Sequence, residues 1–147
     1  MRESFTKKFD LENLAVRSGE YWTLSIRPGQ VTLGSMLVSC NRDRTAFSEL
    51  TEAEGAELAI TLGLAEQFAK AELGAERINV YGLMMNDPLV HLHLFPRYAK
   101  PVERYGSVWS DADWPGPVHV RPASTTDAVL GALRQEAESF VAVLSTR

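Results

Sequence analysis

Apolar positions first cluster as a strand at residues 20–26, where "EYWTLSI" is rich in aromatic and β-branched side chains. "RPGQ", Arg27 to Gln30, is a turn signal, with Pro at the first corner and Gly behind it. "VTLGSMLVSC", Val31 to Cys40, predicts a second strand antiparallel to the first. Gly34 within it marks a bulge or a close approach to the backbone. Thr51 and Glu54 then form a capping-box pattern, and the period lengthens. Leu58, Leu62, Ala65 and Ala69 recur at helical spacing, broadened by Ile60, Leu64, Phe68 and Leu73, so a helix runs to about Leu73 and stops at Gly74. Ile78 to Met85 predicts a third strand, Asn86 to Pro88 a compact turn, and Leu89 to Tyr98 a fourth strand, the last two forming a hairpin. A Pro- and Trp-rich segment, 100–122, follows; it is long for a structureless loop, so it is functional or packed on something. A C-terminal helix over about 124–145, capped by Ser124 or Thr125, places Val129, Leu133, Ala137, Phe140 and Leu144 on one face. Phe9, Leu11, Leu14 and Val16 fit a short helix poorly and assign no element to residues 5–18. The sum is one α+β domain, 1–147, with an antiparallel sheet and its core at about 20–100.

Composition narrows the class. Of the 147 residues, 45% are hydrophobic and 23% charged, which suits a globular domain. The net charge of −4 argues against a general affinity for nucleic acid, while local basic clusters could hold a small phosphate ligand. No run has the length of a membrane span, and "MRESFTKKFD" lacks the apolar core of a signal peptide, so a cytoplasmic protein is expected. The single cysteine, Cys40, excludes an intrachain disulfide and a multi-cysteine zinc site, and its place at a strand end suggests an inert buried residue.

The candidate chemistry lies in "LVHLHLFPRY", residues 89–98, which holds two of the three histidines. On a strand, Leu89, His91, His93 and Phe95 share one face, while Val90, Leu92 and Leu94 turn to the other. The two imidazoles are then roughly 6–7 Å apart at their backbones. Three readings follow: two structural histidines; an H-x-H metal chelate completed by His119 or a carboxylate such as Asp87; or covalent catalysis on phosphorus. In the last, a neutral imidazole attacks phosphorus and a second donor neutralises the oxygens. It needs no cofactor. His91 and His93 suit these two roles, helped by Arg97 or by backbone amides.

"VHLHLFPRY" resembles the signature of the histidine triad proteins, H-x-H-x-H followed by two apolar residues and often Pro-Arg. Aligned on Pro96-Arg97, His91 takes the middle position, His93 the last, and Leu89 stands where the first histidine is expected. "DPLVHLHLFPRY" is similar to a bacterial, diadenosine tetraphosphate hydrolase-like branch that reads D-P-x-V-H-x-H-x-x-P-R-Y and tolerates loss of that histidine. "SIRPGQVTLGSMLV" and "RTAFSELTEAEGAEL" resemble the family's first hairpin and its connector to the long helix, so the likeness spans roughly residues 20 to 100.

The resemblance implies a five-stranded antiparallel sheet with one long helix after the first hairpin and a C-terminal helix, and a homodimer. It implies a purine nucleotide or dinucleoside polyphosphate ligand and nucleotidyl transfer to the middle histidine, with hydrolysis favoured as the outcome. By carry-over His91 is the nucleophile and His93 contacts the phosphate or leaving oxygen. Arg27, Asn86, Asp87, Leu89 and Arg97 are the candidate nucleotide- and phosphate-site residues. The family's Gly/Gln-containing phosphate loop is replaced by "MNDP", and the residues nearest its ribose-binding position are Ser25 and Arg27. Two other functions stay open: a nucleotide-binding module with little turnover, and an H-x-H metalloenzyme. Trp109 and Trp114 could cover a base or a partner subunit, with packing expected of at least one, and His119 is expected to be structural.

Overall fold

The computed structural model describes residues 1–145. Two short helices open the chain, α1 (Arg2–Lys8) and α2 (Leu11–Leu14). They are separated by Asp10 in the left-handed region at φ 51°, which Asp tolerates better than most residues. This break is why residues 5–18 show no single period: Phe5 and Phe9 belong to one helical face, Leu11 and Leu14 to the next. The chain continues as β1 (Ala15–Ser18), β2 (Trp22–Ile26), β3 (Met36–Cys40), a 3₁₀ turn at Phe47–Glu49, α3 (Glu52–Ala71), β4 (Arg77–Tyr81), β5 (His91–Arg97), β6 (Val102–Arg104), β7 (Ser107–Trp109) and α4 (Asp127–Ser145). Strands β1 to β5 form an antiparallel sheet in the order β1-β2-β3-β5-β4, the α+β architecture expected.

The central strands β2, β3 and β5 are buried on both faces, while the edge strands β1 and β4 are partly exposed. Cross-strand partners share a face, so Leu24, Val38 and Leu92 lie on one side, toward α3 and α4. Trp22 fixes α3 there by donating its indole N–H to Glu54 O at 2.7 Å. Helix α3 starts as predicted, with Thr51 Oγ1 accepting from Glu54 N. The Glu54 carboxylate is wholly buried and takes the Arg44 guanidinium at 2.7 Å, which holds it below the usual carboxylate range. Gly74, at φ 79°, ends the helical segment. In α4, Leu130, Leu133, Ala137 and Val141 are buried, and Thr126, not Ser124 or Thr125, caps it by accepting from Val129 N. Val129, Phe140 and Leu144 are only half-buried against the core.

Several strand boundaries differ from expectation. Val31–Ser35 is not strand, because the buried Gln30 amide satisfies that backbone: Oε1 accepts from Gly34 N and Ser35 N, and Nε2 donates to Arg27 O and Ser35 O. Gly34 is a close approach, at φ 82° with the room for a Cβ taken by Leu73 Cδ1. The third strand stops at Tyr81, and residues 82–90 form an irregular connection, with Leu83 and Met85 exposed and Leu89 and Val90 buried, in place of a compact turn at Asn86–Pro88. The segment 100–122 contains an unpredicted hairpin, β6–β7, turning at Tyr105 and Gly106, both at positive φ as a two-residue hairpin turn requires.

Candidate active site

His91 and His93 lie on the sheet face opposite α3, where their cross-strand partners in β3 are Ser39 and Leu37. Helix α1 covers this face. Arg2 anchors it, donating to Ser39 Oγ, Thr23 Oγ1, Asn41 Oδ1 and Cys40 O. Its Phe5 ring sits 4.9 Å from the His91 ring, and Phe9 is 6.3 Å from both imidazoles. The histidines are therefore almost fully buried, at 2% and 7% exposure, and their ring centroids are 5.0 Å apart.

Their hydrogen bonds set opposite tautomers. His91 Nδ1 faces Leu89 O at 2.6 Å, and two acceptors cannot meet at that distance, so Nδ1 carries the proton. In the neutral ring, Nε2 then keeps a free lone pair. His93 Nδ1 accepts from Arg27 Nε at 3.2 Å, so its neutral form carries the proton on Nε2. Burial lowers the basicity of both rings. For His93, burial and then the Arg27 charge push the pKa down to about 4; for His91 the direction is the same, with the Leu89 carbonyl opposing it. The pair thus offers one nucleophilic nitrogen and one N–H donor near neutral pH.

Both rings line a cavity of about 270 Å³ with Lys8, Phe9, Arg27, Val120 and the loop from Leu83 to Asp87. Of the expected site residues, Arg27, Asn86 and Asp87 border it. Asp87 does not repel an anion as a bare carboxylate, because Lys8 Nζ meets it at 2.8 Å. Leu89 contributes its carbonyl to His91, and its side chain is buried in the core. Arg97 is not brought to the pair. Its guanidinium is buried against Asp111 at 2.7 Å and also donates to Asn79 Oδ1 and Gly116 O, which binds the 111–116 segment to β5. Ser25 is fully buried and its Oγ has no hydrogen-bond partner among the described residues.

Sequence reasoning missed Phe5, Lys8, Phe9 and Val120. The i, i+4 pair Phe5 and Phe9 was the available signal for α1; nothing local marks Val120, which arrives because Tyr81 OH donates to Val118 O across the sheet face. Trp109 packs on the core, donating to Arg104 O, and Trp114 lies 5.9 Å from the Arg97 guanidinium. His119 is exposed, with its backbone amide on Asp113. Cys40 is buried, its thiol pushed up by desolvation. Among the described residues no three His, Cys, Asp or Glu side chains come together as a metal-ligand set, so the H-x-H chelate finds no third ligand there. No described helix is long and apolar enough to cross a membrane.

The chain superposes on a histidine triad protein of Marinobacter aquaeolei with a TM-score of 0.73 at 16% identity, covering 94% of this chain and 95% of that one. A hypothetical histidine triad nucleotide-binding protein of Sulfolobus tokodaii gives 0.72 at 16%, covering 99% and 94%. A histidine triad protein of Sinorhizobium meliloti gives 0.70 at 19%, covering 90% and 93%. No family model and no curated protein matches the sequence. The chain therefore has the histidine triad fold, shared at low sequence identity.

Proposed function

We propose that the protein is a nucleotide phosphohydrolase or nucleotidyl transferase that works through a His91–nucleotidyl intermediate, with hydrolysis the favoured outcome. The observation that carries this reading is the His91 Nδ1 to Leu89 carbonyl bond, which directs the lone pair to Nε2 in a cavity bordered by Lys8 and Arg27. A nucleophile of this kind needs no separate base. His93, protonated at Nε2, is suited to donate to a phosphate or leaving oxygen, and Arg27 opposes its charge to the one that builds on phosphorus. Asn86 and Asp87 border the nucleotide site, Asp87 holding Lys8 at its rim. The missing first histidine is Leu89, whose carbonyl already orients His91, so its loss leaves the nucleophile supported. The name of the Sulfolobus tokodaii protein, a hypothetical histidine triad nucleotide-binding protein, agrees with a nucleotide ligand.

The test is turnover of a dinucleoside polyphosphate and of a nucleoside phosphoramidate by the native protein and by His91→Ala. Loss of both activities in the variant is expected; equal rates would refute the nucleophile. A nucleotide-binding module with little turnover is the second reading, favoured by the burial of both histidines beneath Phe5 and Phe9. Calorimetric AMP binding without product formation would support it. A homodimer, which the resemblance implies, could pair through the sheet-edge strand β4, where Val80 is exposed; light scattering measures it.

A further inference from the structure

Arg27 reaches His93 through a long side chain that no carboxylate holds; among the described residues it has no ion pair. Left to itself such a side chain samples many rotamers. The turn that follows it removes this freedom. Pro28 disfavours a helical backbone at Arg27. The buried Gln30 donates from Nε2 to Arg27 O at 2.8 Å and to Ser35 O at 2.8 Å, and Ser35 O also accepts from Arg27 N at 2.9 Å. Gln30 Oε1 accepts from Gly34 N at 2.7 Å and Ser35 N at 3.1 Å, so one amide ties the start of the loop to its end. At the head of the side chain, Arg27 Nη1 donates to Gly29 O at 2.7 Å, and the guanidinium lies 5.7 Å from the Phe95 ring. Only glycine leaves that space: a Cβ on Gly29 would stand 2.8 Å from Nη1, with Ala123 O at 3.3 Å closing the other side. Arg27 is thus held at both ends, and its Nε points at His93 Nδ1, 3.2 Å away.

His93 depends on this bond. Its ring has no other hydrogen-bond partner among the described residues. A neutral imidazole has two tautomers, and its ring can turn over about χ2. A donor at Nδ1 admits one of these states, with the lone pair on Nδ1 and the proton on Nε2. We propose that Gln30 and Gly29 form a positioning clamp, acting through Arg27 to hold His93 as an Nε2–H donor aimed at the reacting phosphate. Gln30 does not line the histidine cavity, so its part is played at a distance. The use of the donor rests on the nucleotidyl-transfer reading above; the clamp itself is measurable without turnover.

The experiment measures, by NMR on nitrogen-labelled protein at neutral pH, the coupling between Arg27 Nε and His93 Nδ1 across their hydrogen bond. The variants are Gln30→Met, Gly29→Ala and Ser35→Ala. Gln30→Met removes the amide at nearly constant volume, and Gly29→Ala displaces the guanidinium from outside. Ser35→Ala is the control: it removes the Oγ bonds to Thr32 N and Thr32 O, loosening the same loop without touching Arg27. The coupling should be present in the native protein and in Ser35→Ala, and lost in the other two. In those two, kcat for a dinucleoside polyphosphate should fall about tenfold or more with KM within about twofold, the signature of a misplaced donor. No coupling in the native protein overturns the clamp. So does an intact coupling in Gly29→Ala or in folded Gln30→Met, or a loss in Ser35→Ala, which would tie the bond to loop stability alone. If Gln30→Met does not fold, Gly29→Ala decides. Loss of the coupling with kcat unchanged overturns the positioning role. If the native protein shows the coupling and turns over no nucleotide, the nucleotidyl-transfer reading fails while the hold on His93 stands.

Discussion

Acid should weaken the fold through His93, and the amount can be worked out. The ring is 7% exposed, accepts from the Arg27 guanidinium, and has a pKa pushed down to about 4. In the unfolded chain it returns to about 6.5. Between these values the unfolded state binds more protons than the folded one, so stability rises with pH. The contribution is complete above about pH 6.5 and is lost as pH falls toward 4; at roughly 1.4 kcal/mol per pH unit it amounts to about 3 kcal/mol. Other groups titrate in the same window, so the comparison is with His93→Gln, which does not titrate and can still accept from Arg27. Urea denaturation at a series of pH values from 7 to 4 should show the native protein losing about 3 kcal/mol more than the variant. Parallel stability curves would refute the claim that His93 is a desolvated neutral imidazole held as an acceptor.

The same physics governs activity. Because the His91 pKa is also lowered, the acid limb of kcat/KM should fall below histidine's ordinary value near 6.5, and a limb at or above 6.5 contradicts the geometry. Arg97→Ala should cost about 3–5 kcal/mol in denaturant unfolding, because it strands the buried Asp111 carboxylate; a change under 1 kcal/mol would show that the pair braces nothing. Gly34→Ala should cost about 2–4 kcal/mol, combining a left-handed backbone with a clash on Leu73, and an unchanged midpoint would contradict it.

The parts of the fold written in local pattern were legible. The long helix announced itself through Thr51, its apolar stripe and Gly74, and the active strand through the alternation of Leu92 and Leu94 with His91 and His93. What escaped depends on side chains that meet across long separations. Gln30 replaces strand hydrogen bonds with its own amide, which no hydropathy pattern records. Arg97 looked like a phosphate ligand because it follows the histidine strand, yet Asp111, fourteen positions on, claims it. Lys8 and Phe9 reach the site only because Asp10 breaks the N-terminal helix and Arg2 ties α1 to the edge of β3. The tautomers of the two histidines are likewise set by partners, Leu89 O and Arg27, that the spacing of the motif does not reveal.

The most direct measurement traps the covalent intermediate. The native protein is mixed with a dinucleoside polyphosphate for a fraction of one turnover, quenched in base because phosphoramidates are acid-labile, digested and analysed by mass spectrometry. The account predicts a nucleoside monophosphate adduct on the peptide containing His91, localised to that residue and absent from His91→Ala. Product formation without an adduct in the native protein, or an adduct that persists in His91→Ala, would contradict it.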